Sequence, residues 1–462
     1  MLKDMTYRGK TVLVVGAARS GIASASFLLE RGARVVLTDA KPEGQLAAAI
    51  EPLRAVAASS GALSLEFGGH NAESFRKCDF VVVSPGVPLS MPCFDESRRC
   101  GIPILAEVEL AFRHLKGRIL GITGSNGKTT TTILTAELLG GSGLRARAAG
   151  NMGVPLISFA AASTPDDIYS TELSSFQLEG IADFRPAAGA VLNLTPDHMD
   201  RYGVIEKYIA AKERLFMNQT AADFAVLNAD DERTAAMALR VPSAPVLFSR
   251  RSAPPRGLFL RGGRVISSLG GSDRDLFGVE EIGIRGAHNV ENVLASCALA
   301  LLAGASPESM REVIRGFKGV EHRLEWVAEI DGVQYFNDSK ATNVDATIKS
   351  IEAFPGGIHL IAGGRDKGGD FTVLQPLVRE RVRQLIVMGE AAGKLRESLK
   401  DCTEISEARD MREAILLGRR RAKPGEVVLL APACASFDMF QSFEHRGRVF
   451  KEIVLSLRDC TR

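Results

Sequence analysis

The feature that most constrains this chain is a glycine-rich loop between a short apolar run and a helix-like segment. It follows Ile119 and Leu120, precedes segment 130–139, and reads Gly121-Ile122-Thr123-Gly124-Ser125-Asn126-Gly127-Lys128-Thr129-Thr130. A strand, a glycine turn and a helix in this order direct backbone N–H groups at an anion, with the lysine reaching terminal phosphates and the threonine suited to Mg²⁺. The usual pattern G-x-x-x-x-G-K-[ST] places a glycine at 122, where this chain has Ile. The loop predicts a nucleoside triphosphate site.

Composition narrows the class of protein further. At 462 residues, the chain is long enough for about three domains. Its 57 basic and 55 acidic side chains give a net charge of +2, which favours neither nucleic acid nor an anionic membrane. Seven scattered cysteines without a C-x-x-C pair indicate a reducing compartment. The longest uncharged apolar segment, 293–305, is shorter than the ~18–20 residues of a membrane span. We expect a cytoplasmic protein with no membrane span and no nucleic-acid partner.

Strand and helix patterns alternate along the whole chain. Predicted strands lie at 11–15, 34–38, 80–83, 168–171, 189–194, 224–227, 359–362, 384–387 and 427–430, helices at 22–31, 204–217, 289–303 and 307–317, and hairpins at 258–266 and around 331–332. Such alternation is typical of parallel sheets covered by helices. We therefore predict an α/β protein of three domains: an N-terminal Rossmann-like domain (1–113), a central P-loop domain (114–319) and a C-terminal Rossmann-like α/β domain (320–462).

The first predicted turn contains an altered dinucleotide motif. The run Gly16-Ala17-Ala18-Arg19-Ser20-Gly21 keeps the outer glycines of the fingerprint but has Ala18 at the middle one. Asp39 lies where a ribose-binding carboxylate would be. A diphosphate other than that of NAD fits such a turn. The alternative interpretation, an NAD-linked oxidoreductase, depends on this motif alone and does not explain the phosphate loop.

Three further segments of the central region carry candidate site residues. Glu172 follows a predicted strand, so it is a candidate Mg²⁺ ligand, with helix capping as the alternative. His198 lies in the polar run 193–202 after another strand, which is typical of a site loop, although an isolated histidine is more often structural. Lys212 lies on a helix among apolar neighbours at 208, 209, 215 and 216; a surface lysine is the alternative.

Together with the loop, these segments resemble the central domain of the Mur ligases, ATP-dependent amino-acid ligases of peptidoglycan precursor synthesis with folylpolyglutamate synthetase as a cousin. The resemblance extends over the whole chain. It implies that ATP binds at 124–130, with Lys128 at the β- and γ-phosphates. It also implies that Thr129 and Glu172 hold one Mg²⁺, and that His198 and a carbamylated Lys212 position a second. A buried lysine can lose ~3–5 pKa units, and its neutral amine can then add CO₂ to become an anionic oxygen ligand for Mg²⁺.

The same resemblance assigns the remaining nucleotide contacts. Asn289 and Asn292 are placed near adenine and ribose, although Asn289 or His288 could instead cap a helix. Arg323 resembles the arginine that reaches the nucleotide phosphates when the domains close; a salt-bridged hinge arginine is the alternative. The UDP group of the acceptor is assigned to Gly16, Arg19, Ser20, Asp39, Ser84, Pro85 and Gly86, and its muramoyl-alanine end to Asn151. An arginine beside such a loop is also often simply solvated.

Motifs at three C-terminal strand ends indicate the incoming amino acid. They are the runs 337–343, 363–369 and 432–438, followed by 443–447. They resemble the D-glutamate-adding branch of the family, and the Asp-Asn-Pro-Arg run of the diaminopimelate-adding relative is absent from the sequence. The resemblance implies D-glutamate binding by Thr342, Lys367, Ser436 and Phe443, with Asp338 and Lys340 on the ATP side.

We thus expect a monomeric ligase that adds D-glutamate to UDP-N-acetylmuramoyl-L-alanine through an acyl phosphate, releasing ADP and phosphate. Its catalytic residues would be Lys128, His198 and Lys212, and its roles cell-wall biogenesis, cell shape and cell division. Three alternatives stay open from the sequence: another Mur ligase, a folylpolyglutamate-synthetase-like ligase, and an NTP-driven switch without ligase chemistry.

Overall fold

The computed structural model describes residues 7–58, 62–366 and 368–459. Their strands form three sheets of five, nine and six strands. The chain divides into two compact units, one made of residues 1–278 with 292–313 and the other of 279–291 with 314–462. The first unit contains the first two sheets, and the second unit contains the third. Within the described ranges, every helix is too short or too polar to cross a membrane.

The first sheet is entirely parallel. Its elements are β1 (Thr11–Val15), α1 (Arg19–Glu30), β2 (Arg34–Asp39), α2 (Glu43–Ala58), β3 (Leu63–Phe67), α3 (Ala72–Lys77), β4 (Phe80–Val83), α4 (Cys93–Arg99), β5 (Ile104–Ala106) and α5 (Glu107–His114). The strand order is β3-β2-β1-β4-β5. The central strands β1 and β4 are short apolar runs buried along almost their whole length, as a sheet covered on both faces requires. The predicted Rossmann-like arrangement is confirmed.

The second sheet carries the phosphate loop. Its elements are β6 (Arg118–Thr123), α6 (Lys128–Gly141), β7 (Arg145–Gly150), β8 (Asp167–Glu172), α7 (Ser175–Glu179), β9 (Ala188–Val191), α8 (Met199–Tyr202), α9 (Ile205–Glu213), β10 (Phe224–Asn228), α10 (Glu232–Met237), β11 (Ala244–Ser249), β12 (Gly257–Arg261), β13 (Arg264–Ser267), β14 (Arg274–Gly278), α11 (Ala287–Leu302) and α12 (Pro307–Gly316), with 3₁₀ turns at Leu156–Ala162, Arg214–Phe216 and Val279–Glu281. The order is β14-β13-β12-β11-β10-β9-β6-β8-β7. Strands β12 to β14 are antiparallel, and the predicted hairpin turns at Gly262 and Gly263, both with positive φ.

Helix α5 joins the first two sheets through two fully buried carboxylates. Glu107 accepts a hydrogen bond from the backbone N–H of Ile157 at 2.8 Å. Glu109 accepts from the backbone N–H groups of residues 182–184 and pairs with Arg113 at 2.8 Å. Apolar side chains of both sheets also share one core cluster. These bonds and this core make the two sheets one body.

The third sheet forms the second unit. Its elements are β15 (Glu325–Ile330), β16 (Val333–Asn337), α13 (Val344–Glu352), β17 (Ile358–Gly363), a 3₁₀ turn (Phe371–Leu374), α14 (Gln375–Arg381), β18 (Val382–Met388), α15 (Ala392–Leu399), β19 (Glu404–Glu407), α16 (Met411–Arg421), β20 (Val427–Leu430) and α17 (Phe443–Asp459). The order is β15-β16-β20-β17-β18-β19. The predicted hairpin at Asp331-Gly332 joins antiparallel β15 and β16, and the other pairs are parallel. The carboxyl ends of β16, β20 and β17 therefore meet at one edge.

Candidate active site

The phosphate loop runs from β6 into α6 in a conformation that favours glycine. Gly124 and Gly127 have φ angles of 146° and 84°. A Cβ atom added at Gly127 would lie 2.2 Å from Oδ1 of Asn292. Lys128 Nζ donates to the backbone carbonyls of Gly124 at 2.9 Å and Ser125 at 2.8 Å. The loop residues predicted to bind the triphosphate thus lie together as one preformed turn.

The loop that follows β9 holds the phosphate loop in place. The Asn193 carbonyl accepts from the Ser125 N–H at 2.9 Å, and its side chain accepts from the Asn126 N–H at 2.8 Å. Ser125 Oγ donates to the Thr195 carbonyl at 2.8 Å and lies 3.2 Å from the Tyr208 hydroxyl. The polar run 193–202 predicted a site loop, but not that Asn193 and Thr195 hold the phosphate loop. The signal that could have indicated this supporting role is the side-chain amide of Asn193, which comes just after the buried strand β9.

Thr129 and Glu172 meet at the end of the phosphate loop. Thr129 Oγ1 donates to Glu172 Oε2 at 2.6 Å, and Asn151 Nδ2 donates to Glu172 Oε1 at 3.2 Å. Glu172 ends β8 and is buried. The helix-capping alternative for Glu172 is wrong, because Ser174 caps α7 through a capping box with Gln177. The Glu172 carboxylate thus contacts both the phosphate-loop helix, through Thr129, and the 150–153 loop, through Asn151.

Lys212 is buried beneath the phosphate loop, with 1% of its surface exposed. Its Nζ donates to the Gly124 carbonyl at 2.8 Å and to Thr123 Oγ1 at 3.3 Å, and lies 4.5 Å from the Tyr208 ring centroid. Burial, with a further contribution from the charge of Lys128, holds the pKa of the Lys212 amine well below its usual value. The surface-lysine alternative is therefore wrong, and the amine has the character that CO₂ addition requires.

His198 lies on the exposed loop before α8. Its φ is 57°, in the left-handed region that few residues other than glycine adopt. The imidazole centroid is 4.8 Å from the Phe176 ring, and Nε2 is 3.6 Å from Asp197 Oδ2. Arg201 stacks on the same phenyl ring at 3.9 Å. The aromatic contact orients a histidine whose side chain is 42% exposed.

Asn292 lies against the start of the phosphate-loop helix, and its place near adenine and ribose stays a prediction. Its Oδ1 accepts from Thr131 Oγ1 at 3.4 Å, and its side chain is buried. Asn289 Nδ2 donates to the Arg285 carbonyl at 2.6 Å. Because α11 begins at Ala287, Asn289 lies within the first turn and not at the cap.

The N-terminal turn is closely packed around its two glycines. Gly16 has φ 97°, and a Cβ atom at Gly21 would lie 1.8 Å from the Gly16 carbonyl oxygen. Ser84 Oγ donates to that same oxygen at 2.9 Å, and the Val87 N–H closes a turn over Pro85 and Gly86 by donating to the Ser84 carbonyl at 3.0 Å. The two predicted UDP-binding turns are thus adjacent.

The Asp39 carboxylate accepts hydrogen bonds from the turn after β1 and from the turn after β2. Oδ2 accepts from the Ala17 N–H at 2.7 Å, and Oδ1 accepts from the Lys41 N–H at 2.9 Å. Ser20 lies in the first turn of α1, next to them, and is buried. Asp39 thus shapes the turn in addition to any contact with ribose, which stays a prediction.

Arg19 connects the N-terminal turn to the central sheet within the first unit. Its Nη1 donates to the Gly153 carbonyl at 3.5 Å, two residues beyond Asn151. Gly150 has φ 110°, and a Cβ there would lie 2.2 Å from the Glu172 carbonyl oxygen. A continuous path therefore runs from the diphosphate turn through the 150–153 loop to Glu172 and the phosphate loop.

Three strand ends of the third sheet converge, as predicted. The Ala433 N–H donates to the Ala341 carbonyl at 2.9 Å, which joins the loop after β20 to the loop after β16. Ser339 Oγ donates to the Phe443 carbonyl at 2.8 Å, which adds the start of α17. Lys340 Nζ lies 3.8 Å from the Phe443 ring centroid.

The predicted amino-acid ligands fall in or next to these loops. Thr342 follows Ala341 and is half-buried, while Ser436 is buried behind an exposed Phe437. Lys367 lies outside the described residues. Beside them, Asp338 accepts from Ser350 Oγ at 2.6 Å, and burial raises the pKa of the Asp338 carboxyl to about 6.

Arg323 lies in a strained turn of the second unit. Its neighbours His322 and Leu324 have φ angles of 65° and 44°, a conformation that costs a non-glycine residue about 1–3 kcal/mol and clusters at functional sites. The His322 N–H donates to Glu325 Oε2 at 2.9 Å, and Asn337 Nδ2 lies 2.9 Å from His322 Nδ1. The rigid turn fixes where the Arg323 side chain leaves the backbone.

A buried carboxylate at a preformed phosphate loop, within α/β sheets, defines a P-loop nucleotide-binding protein with additional α/β domains. Family comparisons match three consecutive models. They are the Mur ligase MurD-like N-terminal domain over residues 10–106, the Mur ligase middle domain over 122–300 and the Mur ligase glutamate ligase domain over 322–434.

Full-length relatives agree with these models. The UDP-N-acetylmuramoylalanine–D-glutamate ligase of Koribacter versatilis is 47% identical over 98% of this chain and 99% of its own. The enzyme of the same name from Pelotomaculum thermopropionicum is 47% identical over 99% of this chain and 100% of its own. The chain belongs to the Mur ligase family.

Solved structures share the fold at lower identity. The pseudomurein peptide ligase type C of Methanothermus fervidus has a TM-score of 0.60 at 18% identity, covering 97% of this chain and 100% of its own. The UDP-N-acetylmuramate–alanine ligase of Thermotoga maritima has a TM-score of 0.59 at 20% identity, covering 97% and 99%. The three-domain α/β architecture is therefore that of the family.

Proposed function

We propose that this protein is an ATP-dependent ligase that joins D-glutamate to UDP-N-acetylmuramoyl-L-alanine in peptidoglycan precursor synthesis. The observation that carries the proposal is 47% identity over nearly the whole chain to relatives named for this reaction. The reaction also suits the path from the diphosphate turn to the phosphate loop, since it brings an acceptor carboxylate to a γ-phosphate. We further propose that the enzyme is cytoplasmic and monomeric.

The first unit would supply the acceptor contacts and the phosphate contacts of the nucleotide. The UDP diphosphate would lie on the turn of Gly16 and Ser20, next to the cation of Arg19, and the muramoyl-alanine end would follow the 150–153 loop. Asn151 already bonds Glu172 at 3.2 Å, so an acceptor aligned along this loop ends beside the phosphate loop. Lys128 would hold the β- and γ-phosphates, as its place at the start of α6 favours.

The donors at the phosphate loop fit a hard divalent cation. Thr129 Oγ1 and Glu172 Oε2 are 2.6 Å apart, and a hydroxyl and a carboxylate are the oxygen ligands that Mg²⁺ prefers. We propose that these two residues hold one Mg²⁺ and that His198 with a carbamylated Lys212 holds a second. Bound Mg²⁺ supplies charge neutralisation between the γ-phosphate and the attacking carboxylate.

The residues of this chain would orient the reactants for two successive steps. A carboxylate oxygen of the acceptor attacks the γ-phosphorus, the bond from that phosphorus to the β–γ bridging oxygen breaks, and ADP and an acyl phosphate form. The amine of D-glutamate, held by Thr342, Lys367, Ser436 and Phe443, then attacks the acyl carbonyl. The bond from the acyl carbon to the phosphate oxygen breaks, phosphate leaves, and the proton lost by the amine passes to solvent as the amide forms. Positioning of the reactants provides most of the acceleration in such transfers.

The test is phosphate release from ATP with the UDP-linked acceptor and one amino acid at a time. We expect release only with D-glutamate, together with a product one glutamyl residue heavier by mass spectrometry. Turnover with L-glutamate and a folate would reassign the protein to the folate cousin. Nucleotide-dependent binding of a partner without amide formation would identify an NTP-driven switch.

A further inference from the structure

Arg446 is a fully buried arginine in the first turn of α17, with 2% of its surface exposed. Nε donates to Ser339 Oγ at 2.9 Å, and Nη2 donates to the carbonyls of Ser339 at 2.8 Å and Cys434 at 3.2 Å. Nη1 donates to the carbonyls of Gly363 and Ala435, both at 3.4 Å. A guanidinium has five N–H groups, and here each has its own acceptor.

Burial of the Arg446 guanidinium is energetically unfavourable. Among the described residues, no carboxylate forms an ion pair with Arg446, and its bonds go to neutral oxygens. It also lies at the N-terminal end of a helix, where the macrodipole disfavours positive charge. Burial lowers the pKa of its guanidinium to about 10. A buried unpaired charge is expensive, so a fold that needed only packing would be better served by an apolar side chain.

The acceptors of Arg446 belong to the three loops that carry the proposed amino-acid ligands. Ser339 lies three residues before Thr342, and Cys434 and Ala435 lie directly before Ser436. Gly363 ends β17, where the loop toward position 367 begins. In addition, Ser339 Oγ links Arg446 to the start of α17, because it donates to the Phe443 carbonyl at 2.8 Å.

We infer that Arg446 is the positioning residue of the amino-acid site: its guanidinium fixes the three strand-end loops in the spacing that D-glutamate requires. This inference rests on the proposed function. Arg446 itself need not touch the substrate, since all of its N–H groups are already used. A lysine has three N–H donors on a single atom, so it cannot reproduce contacts to three loops.

The test compares Arg446→Lys with Arg448→Lys in steady-state kinetics. Arg448 lies on the same helix but is exposed. We expect Arg446→Lys to raise KM for D-glutamate by about tenfold to a hundredfold, because small misplacements of binding groups have effects of that order. KM for the UDP-linked acceptor should change by less than about twofold, since its proposed contacts all lie in the first unit. Arg448→Lys should match the parent protein.

A second variant separates positioning from folding. Ser339→Ala keeps the guanidinium charge but removes the hydroxyl that links Arg446 to Phe443, and it should raise KM for D-glutamate in the same direction. Fluorescence of Trp326, the only tryptophan and part of the same unit, reports whether each variant retains the folded unit.

The possible outcomes are distinct. A selective rise in KM for D-glutamate with a folded second unit supports the inference. An unchanged KM, or a loss of kcat in proportion to the unfolded fraction with all KM values unchanged, would overturn it. If the parent protein turns over only another amino acid, the proposed function fails, and the same KM comparison with that amino acid then decides the role of Arg446.

Discussion

Glu107 allows a quantitative prediction about the pH dependence of stability. Its side chain is fully buried, with Oε1 bonded to the Ile157 N–H and Oε2 without a hydrogen-bond partner in the described part of the chain. Burial raises the pKa of its carboxyl from 4.5 to about 7. Between these values the folded protein holds a proton that the unfolded chain has lost. The free energy of unfolding therefore falls as pH rises through this window.

The substitution Glu107→Gln isolates this contribution. The amide keeps an oxygen that can accept from Ile157 and cannot ionise. At about 1.36 kcal/mol for each pH unit, the complete effect is about 3 kcal/mol, and about 2.5 kcal/mol of it falls between pH 5 and pH 8. The variant's free energy of unfolding minus that of the parent should therefore increase by about 2.5 kcal/mol over this range. Because the comparison is a difference, the other titrating groups cancel.

Hydrogen exchange of peptides from α5 and from Leu156–Ala162 is the appropriate assay, since Glu107 joins these two segments. Protection in the parent protein should decline relative to the variant as pH rises, after correction for intrinsic exchange. Trp326 lies in the other unit, so its urea transition should be the same in both proteins at each pH. A constant difference between the proteins from pH 5 to pH 8 would show that Glu107 is already ionised in the fold, and the burial argument would be wrong.

Three further predictions concern the site. Lys212→Ala should lose most of the activity and regain part of it with a short-chain carboxylic acid, measured by phosphate release; no recovery would contradict the carbamate. Gly127→Ala should raise KM for ATP more than about tenfold, because φ is 84° and the new Cβ would meet Asn292 Oδ1 at 2.2 Å. Gly143→Ala, with φ 77° and no atom within 4 Å of its Cβ, is the control and should leave that KM unchanged. Arg19→Ala should raise KM for the UDP-linked acceptor and leave KM for ATP unchanged; equal rises in both would argue against its proposed place.

Local patterns were sufficient for the phosphate loop and for the central strands. The loop's glycines and Lys128 lie within one short segment, so their spacing alone encodes the turn. The apolar neighbours of Lys212 left a surface lysine open, and only the family resemblance implied the buried lysine that the structure shows. Strands β7 and β19 were not predicted, because Arg145–Gly150 consists mostly of arginine and small residues and Glu404–Glu407 is half charged. Pairing with a neighbouring strand, and not local propensity, makes them strands.

Long-range polar contacts could not be predicted from the sequence. Asp39 had the position of a ribose-binding carboxylate, but its oxygens accept from two backbone N–H groups that only the folded turns bring near. Asn193 holds the phosphate loop through bonds to residues 67 or 68 positions away. Arg446 donates hydrogen bonds to oxygens of loops up to 107 residues away in the sequence. Such partners become visible only when parallel strands bring their ends to one edge of a sheet.

The carboxylates of α5 have a consequence for the design of inhibitors. Glu107 and Glu109 bond the first sheet to the second, so the two sheets form one body. The surface from Arg19 past Asn151 to Thr129 lies on that body. A compound that spans from a diphosphate mimic at one end to a γ-phosphate mimic at the other would meet a preorganised surface. Little of its binding energy would be spent on ordering the protein. Rigid linkers matched to this surface should therefore bind more tightly than flexible ones of the same composition.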